Sequence, residues 1–489
     1  MARKHPKQIP AKSTSVPGGG AWTTSKALLA LVIALFILTR FYLLFFARPL
    51  ISDVGMYRDY AVRAVDLQKT PYTEEFGVPM PYPPLALWTT CAPRYFDDRR
   101  ITRPNDPQQV IPIIFDYDRG FRGMMFMCDL ASFTLLLLIV RKRRPQMAGW
   151  AGLLYVIATT ILGPVLFDRL DVMLLMLMIS GVYCWTRSIN GSPLSSFGRG
   201  DGGEGESRRS IAWATLAYAI FGLGISFKII PLLSLPFFLL ADFHAPRRYV
   251  RLAYAVIVLT ATISVPFLIQ WSATGPSVFG IFKFHAEREV HLESLYSSLM
   301  SIASVFGSTV FISHSHGAYN LSGDLSGAMK ILSVILLLGF LAGEGLWALL
   351  RWSRYTRQDA YRMACYVIPG SVILSNVLSP QYFIWAFPLV LLLAVEIFPE
   401  GLLRPLVLAG LLIAVAVMTT WIFPYNFISP ESNPNPYALV PINAESLKLP
   451  PPTTPAIILG LRNFTYLGVV IWLGVMLYKR IDQVNVQSP

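Results

Sequence analysis

Residues 26–53 read KALLALVIALFILTRFYLLFFARPLISD. A run of about 20 apolar residues lies between Lys26 and Arg48, and a carboxylate, Asp53, follows close behind. Twenty helical residues reach about 30 Å, the depth of a bilayer's hydrocarbon core. The apolar core of a cleaved signal peptide is only about 7–15 residues long, so this run reads as a first transmembrane helix. The tail before it carries Arg3, Lys4, Lys7 and Lys12, which holds the tail in the cytoplasm and sends the chain outward at residue 49.

Working outward from that helix, about eleven further runs are long enough, or nearly so, to cross. They lie near 121–140, 148–166, 169–186, 211–227, 229–241, 250–270, 329–350, 361–378, 382–397, 404–423 and 456–478. Arg141 to Arg144, His244 to Arg251, Arg351 to Arg362 and Lys479-Arg480 mark cytoplasmic ends. Threading through them predicts an all-α polytopic membrane protein of about twelve transmembrane helices with both termini cytoplasmic. Residues 294–312 are read as re-entrant or interfacial, because a crossing there would place the basic segment 351–362 outside. The predicted organisation is a cytoplasmic tail at 1–25, one transmembrane domain over 26–478, and a second tail at 479–489. Residues 49–120 and 271–328 form the main outer loops, 187–210 a flexible Gly/Ser/Arg-rich cytoplasmic linker, and 424–455 a Pro-rich outer loop.

Composition agrees with that class. The 489 residues are 54% hydrophobic and 14% charged, and the mean hydropathy is +0.52, a profile that soluble chains of this length rarely show. The net charge of +13 sits at the ends of apolar runs and is not interleaved with aromatics, so it argues against nucleic-acid binding. Four cysteines show no pairing pattern and no CxxC; Cys91 reads as a loop residue, and neither a disulfide framework nor a zinc site is indicated. No P-loop occurs, and no outer loop is large enough for an independent catalytic domain. Chemistry must therefore come from loops lying on the bundle.

The threading gathers the unusual polar clusters on one side. Asp53 stands at headgroup depth, as a general base for an acceptor hydroxyl or as the N-cap of a helix over 54–68. Tyr82-Pro83-Pro84 fixes an extended entry into a short segment, 85–96, that lies in the interface. Lys228, at a helix break, binds a lipid phosphate or snorkels to the headgroups. His285, Arg288 and His291 fall at i, i+3 and i+6, so one helical face could present them to an anion; the bland reading is a solvated amphipathic helix. HAEREVH lacks the His spacing of HExxH, which argues against zinc. Asp116-Tyr117-Asp118 formally matches a metal-chelating DxD. Asp129 and Glu344 lie inside apolar runs, as functional acids or as paired acids that hold helices together.

The ordered set of motifs resembles the membrane glycosyltransferases of glycosyltransferase family 87 (DUF2029), which have the GT-C fold and depend on polyprenol-phosphate sugars. The matching pieces are Asp53 to Tyr57, Pro71-Tyr72, Tyr82 to Leu85, Asp168-Arg169-Leu170-Asp171 and Lys228 to Leu232. His285 to Arg288, Leu292 to Tyr296, Gly317 to Asn320 and Ser379 to Tyr382 continue the series. The family commonly has a Gly-Leu-Gln-like stretch before Glu-Ser, where this chain reads Glu289-Val290-His291. The resemblance implies a GT-C-like bundle in the cell membrane whose non-cytoplasmic loops form the active site. It implies transfer of a mannose-like or pentose sugar from a polyprenyl phosphate to a hydroxyl of a lipid or glycan acceptor. Asp53 would be the base; Lys228 and Arg288, supported by His285 and Arg169, would bind the donor phosphate. Tyr57, Tyr82, Asp171, His291, Glu293, Gln381 and Tyr382 would contact substrate. Neither metal nor cofactor is called for. The competing readings are a transporter or lipid flippase, which places its charges at midplane and often shows paired repeats, and a non-enzymatic assembly factor.

Overall fold

A computed structural model describes residues 26–47, 52–73, 78–97, 116–190, 203–245, 247–398, 401, 403–422 and 453–486. The expected tail 1–25, most of the insert 97–118 and nearly all of the Pro-rich loop 424–455 lie outside the described residues.

The chain opens with α1 (Lys26–Phe45), α2 (Val54–Val65), α3 (Pro84–Tyr95), α4 (Tyr117–Arg143), α5 (Ala148–Ile161) and α6 (Gly163–Leu166). It continues through α7 (Asp171–Asn190), α8 (Gly203–Phe227), α9 (Leu235–Asp242), α10 (Arg248–Thr274), α11 (Gly280–Glu287) and α12 (Leu295–Ser304). An antiparallel hairpin, β1 (Val310–Ser315) and β2 (Ala318–Gly323), precedes α13 (Ser326–Leu350), α14 (Arg357–Leu374), α15 (Tyr382–Ile397), α16 (Leu403–Ile422) and α17 (Thr453–Val486).

Eight of the described helices are long and apolar enough to cross a membrane, so the structure supports a polytopic protein. The expected count of about twelve is not reached on that criterion. The runs near 148–166, 229–241, 361–378 and 382–397 supply the shortfall. Gly163-Pro164 breaks the first into α5 and α6. Pro231 and Pro236 turn the second into a 3-10 segment, Ile230–Ser234, followed by the eight-residue α9. The last run is the 16-residue α15. The short helix α3 replaces the expected loop around Cys91, which is buried on it. The linker expected at 187–210 is also shorter: α7 runs on to Asn190 and α8 begins at Gly203. α12 has 10 residues, too few to cross.

The β-hairpin departs from the all-α expectation. Its two-residue turn is His316-Gly317, with φ of 52° and 67°. Positive φ at both positions twists the strands in the sense that hairpins prefer, and the second position is a glycine, which adopts it freely. Hairpin and α12 bury a small core of their own, in which Val290, Tyr296, Ile312 and Leu321 meet Ile422 of α16 and Leu459 of α17.

α14 and α15 run through the centre, almost wholly buried. α14 ends, and α15 begins, at the same end of the bundle. The opposite end carries the basic clusters, where Arg143 meets Glu396 at 2.8 Å and Arg357 lies 3.5 Å from Asp242. α10 and α13 are apolar yet mostly exposed, the character of lipid-facing helices.

Charges inside the bundle are paired. Arg40 of α1 meets Asp129 of α4 at 2.8 Å, both fully buried, and Tyr155 of α5 donates to the same carboxylate at 2.6 Å. Glu344 of α13 accepts from Tyr478 of α17. Both acids follow the helix-holding reading. Asp129→Asn leaves the Arg40 charge uncompensated and should destabilise the bundle by about 3–5 kcal/mol, the scale for breaking a buried pair. A thermal melt in detergent checks this; a midpoint unchanged from the native chain would contradict it.

Candidate active site

Asp53 occupies the N-cap position of α2, but its side chain makes no capping hydrogen bond. Ser52 Oγ accepts from the Val54 amide instead, at 3.2 Å. The Asp53 carboxylate is ion-paired with Arg169, and the Tyr57 hydroxyl lies 3.4 Å from it. The expected N-cap role therefore passes to a neighbour, which leaves Asp53 facing outward from the helix end.

Arg169 stands in the turn between α6 and α7, and the motif around it divides its labour. Asp168 binds Arg122 of α4 through both carboxylate oxygens, at 2.7 and 3.0 Å, and burial raises its pKa against the opposing pull of that guanidinium. Asp171 Oδ1 accepts from Lys228 Nζ at 2.8 Å and from Trp385 Nε1 at 2.9 Å. Its Oδ2 has no hydrogen-bond partner among the described residues.

Lys228 follows the last residue of α8. Pro231 explains the break, because its ring would clash with the carbonyl four residues earlier, at Phe227. The ammonium sits 5.3 Å from the ring centroid of Tyr82 and 4.8 Å from that of Tyr382. It is held by a carboxylate and two rings rather than snorkelling freely.

The expected helical face of His285, Arg288 and His291 does not form. α11 ends at Glu287, and Arg288 adopts φ −57°, ψ 135°, so the chain leaves the helix in an extended conformation. All three side chains nevertheless reach the same cavity. His285 Nε2 donates to the Pro81 carbonyl at 2.9 Å. Arg288 lies 5.9 Å from the Phe284 ring and has no carboxylate partner among the described residues. His291 pairs with Asn320 of β2 through the backbone. Burial first, then the charges of Arg288 and Arg462, push the His291 pKa down to about 3, so its imidazole is neutral and cannot act as a cation.

These groups surround a cavity of about 510 Å³. Of the twelve residues singled out in the sequence, nine line it: Asp53, Tyr82, Arg169, Lys228, His285, Arg288, His291, Gln381 and Tyr382. Tyr57, Asp171 and Glu293 do not. Tyr57 and Asp171 are buried behind the wall, where Tyr57 and Tyr82 share a hydrogen bond. Glu293 is fully buried and paired with Arg462 of α17, while Asn463 donates to its carbonyl at 3.2 Å. That pairing turns its carboxylate to Arg462 rather than to the cavity.

Asp116 caps α4 by accepting from the Arg119 amide at 2.8 Å, and Asp118 is 3.8 Å from Arg58. Neither lines the cavity, and among the described residues no group of three or more His, Cys, Asp and Glu is placed to hold a metal. Sequence reading missed His314 and His316 on the hairpin and Arg462 in the last helix; Tyr319 lay within the matching motif Gly317 to Asn320 but received no role. The His316-Gly317 turn between two short runs was the available signal for the hairpin. Nothing local marks Arg462.

A family model described as glycosyltransferase family 87 matches residues 82–380, more than half of the chain. No curated protein sequence matches it. Among solved structures, the chain is similar to ArnT from Cupriavidus metallidurans bound to undecaprenyl phosphate. That match has 15% identity and a TM-score of 0.46, over 93% of this chain and 78% of that one. It is also similar to the apo oligosaccharyltransferase of Archaeoglobus fulgidus, at 10% identity and a TM-score of 0.40, over 91% of this chain and 64% of that one.

A buried neutral histidine carries a pH signature. The His291 pKa lies below its ordinary value in the folded chain, so the unfolded chain binds more protons between about pH 6.5 and 3. The stability that neutral His291 contributes is present above pH 6.5 and is lost as the pH falls toward 3. The melting midpoint in detergent should drop between pH 7.5 and 5, and His291→Gln should flatten that drop; an equal drop in both would contradict the assignment.

Proposed function

Because the chain belongs to glycosyltransferase family 87, we propose that the cavity transfers a sugar from a polyprenyl phosphate to a hydroxyl of a lipid or glycan acceptor. The observation that carries this reading is the charge balance of the wall. Among the described lining residues Asp53 is the one carboxylate, against Arg169, Lys228 and Arg288; Arg169 pairs with Asp53 and Lys228 with Asp171 behind the wall, so Arg288 carries the uncompensated positive charge. A hole so charged favours an anionic group, and one carboxylate beside it suffices for a base.

In this mechanism the acceptor oxygen attacks the anomeric carbon of the sugar. The bond from that carbon to the phosphate oxygen breaks, the hydroxyl proton passes to Asp53, and polyprenyl phosphate leaves with the electron pair. Arg169 holds Asp53 in place through their ion pair. Arg288, without a carboxylate of its own among the described residues, is the first ligand of the leaving phosphate. Lys228 is the second. Its pairing with Asp171 orients the ammonium, and the rings of Tyr82 and Tyr382 lie on it. His285 and His291 serve as neutral hydrogen-bonding groups rather than charges. A phosphate is already a good leaving group, so one base and a cationic cradle suffice for displacement.

Sidedness supports the same reading. The cavity lies at one end of the bundle, and the basic clusters at Arg141–Arg144, Arg248–Arg251 and Arg351–Arg362 lie at the other. By the positive-inside rule the cavity faces away from the cytoplasm, in a GT-C-like arrangement at the cell membrane with both termini inside. The transmembrane domain over 26–478 acts as one unit.

The test is transfer of radiolabelled sugar from polyprenyl-phosphate donors by the purified chain. Asp53→Asn should fold and bind donor but lower turnover by about 10² or more, the scale of a lost general base. Arg288→Ala should raise the donor KM about tenfold or more. Turnover by Asp53→Asn close to that of the native chain would overturn the base assignment.

A further inference from the structure

The hairpin that lines the cavity differs in kind from the residues that bring its cations. Residues 310–323 read VFISHSHGAYNLSG and contain no Asp, Glu, Lys or Arg. Yet His314, His316 and Tyr319 face the same space as Arg169 and Lys228. His314 and Tyr319 are directly opposite across the strands, their rings 5.1 Å apart and edge to face. His316 sits at the turn with a φ of 52°, a conformation that a non-glycine residue adopts rarely and that recurs at functional sites. Its ring packs edge-on to Phe284 at 5.2 Å, and its Nδ1 has no hydrogen-bond partner among the described residues.

The hairpin is held firmly. Val290 and Leu292 add to it through Leu321 N to Val290 O at 2.9 Å and Leu292 N to Tyr319 O at 2.9 Å. Glu289 accepts from Ser313 and Ser322, one on each strand, at 3.1 and 3.2 Å. The segment that bears Arg288 and His291 is therefore joined to the hairpin by an isolated antiparallel bridge, His291 to Asn320.

A phosphate has nothing to gain from a wall without cations. A sugar does: its C–H faces pack on aromatic rings, and its hydroxyls need both donors and acceptors, which imidazoles and a phenol supply. We propose that the hairpin face formed by His314, His316 and Tyr319 is a sugar-binding subsite, separate from the phosphate subsite, which selects the sugar. This rests on the reading of the cavity as a glycosyltransferase site. Burial lowers the His314 pKa, so that ring is neutral at physiological pH, as a hydroxyl partner should be.

The sugar can be that of the donor or that of the acceptor, and binding measurements separate the two. The full chain in lipid nanodiscs is titrated with bare undecaprenyl phosphate, with polyprenyl-phosphoryl mannose and arabinose, and with octyl mannoside and octyl arabinoside. His314→Ala and Tyr319→Ala should leave the Kd for bare lipid unchanged, which also shows that the variants are folded. They should weaken a sugar-bearing probe about tenfold, the worth of one or two lost hydrogen bonds. Loss confined to the phosphoryl sugars assigns the donor sugar, and loss confined to the octyl glycosides assigns the acceptor. Unchanged affinity for every sugar probe, or an equal loss for bare lipid, would overturn the subsite. Failure of the native chain to bind bare undecaprenyl phosphate would instead count against the glycosyltransferase reading itself.

Discussion

Lys228 is ion-paired with Asp171 at 2.8 Å at the end of an apolar bundle, and most of the cavity's geometry follows from that contact. An ammonium buried without a counter-charge would cost several kcal/mol or give up its proton. The pair needs the start of α7 beside the end of α8. Asp171 also accepts from Trp385, which draws in α15, and the ammonium lies against Tyr82 just before α3 and Tyr382 at the start of α15. One ion pair thus ties four distant stretches of chain to one wall, and a proline three residues on makes the break that lets the lysine reach it.

The same constraint separates charges that hold the bundle from charges that meet a substrate. Arg40 with Asp129, Arg462 with Glu293 and Arg143 with Glu396 are satisfied within the protein. The cavity is different. Three guanidinium or ammonium groups face one carboxylate there, and Arg288 has no acid among the described residues. Beside Arg288 stands a hairpin with no Asp, Glu, Lys or Arg, whose His316 packs on the same Phe284 ring. Cationic groups beside such a ring-bearing hairpin suit a ligand with an anionic part and a hydroxylated part. A sugar on a lipid phosphate is such a ligand.

Much of this was legible in the sequence. Apolar runs gave the membrane class, and the ordered motifs named nine residues that do converge on the cavity. What stayed hidden depended on contacts between distant segments. Glu293 looked like a substrate ligand because its partner, Arg462, lies far along the chain inside an apolar helix. His285, Arg288 and His291 were placed on one helical face because their spacing allowed it; the extended backbone at Arg288 brings them together by another route. Short runs such as 148–166 and 229–241 carry prolines that break them into shorter pieces, so helix length alone does not mark them as spans. The hairpin was missed because two six-residue strands leave little trace among twenty-residue apolar runs.

The most direct test is a cryo-EM map of the full chain in nanodiscs with undecaprenyl phosphate added. The cationic-cradle mechanism predicts phosphate density between Arg288 and Lys228, within hydrogen-bond distance of both, with Asp53 still paired to Arg169 nearby. Phosphate density at the opposite, basic end of the bundle, with an empty cavity, would contradict it.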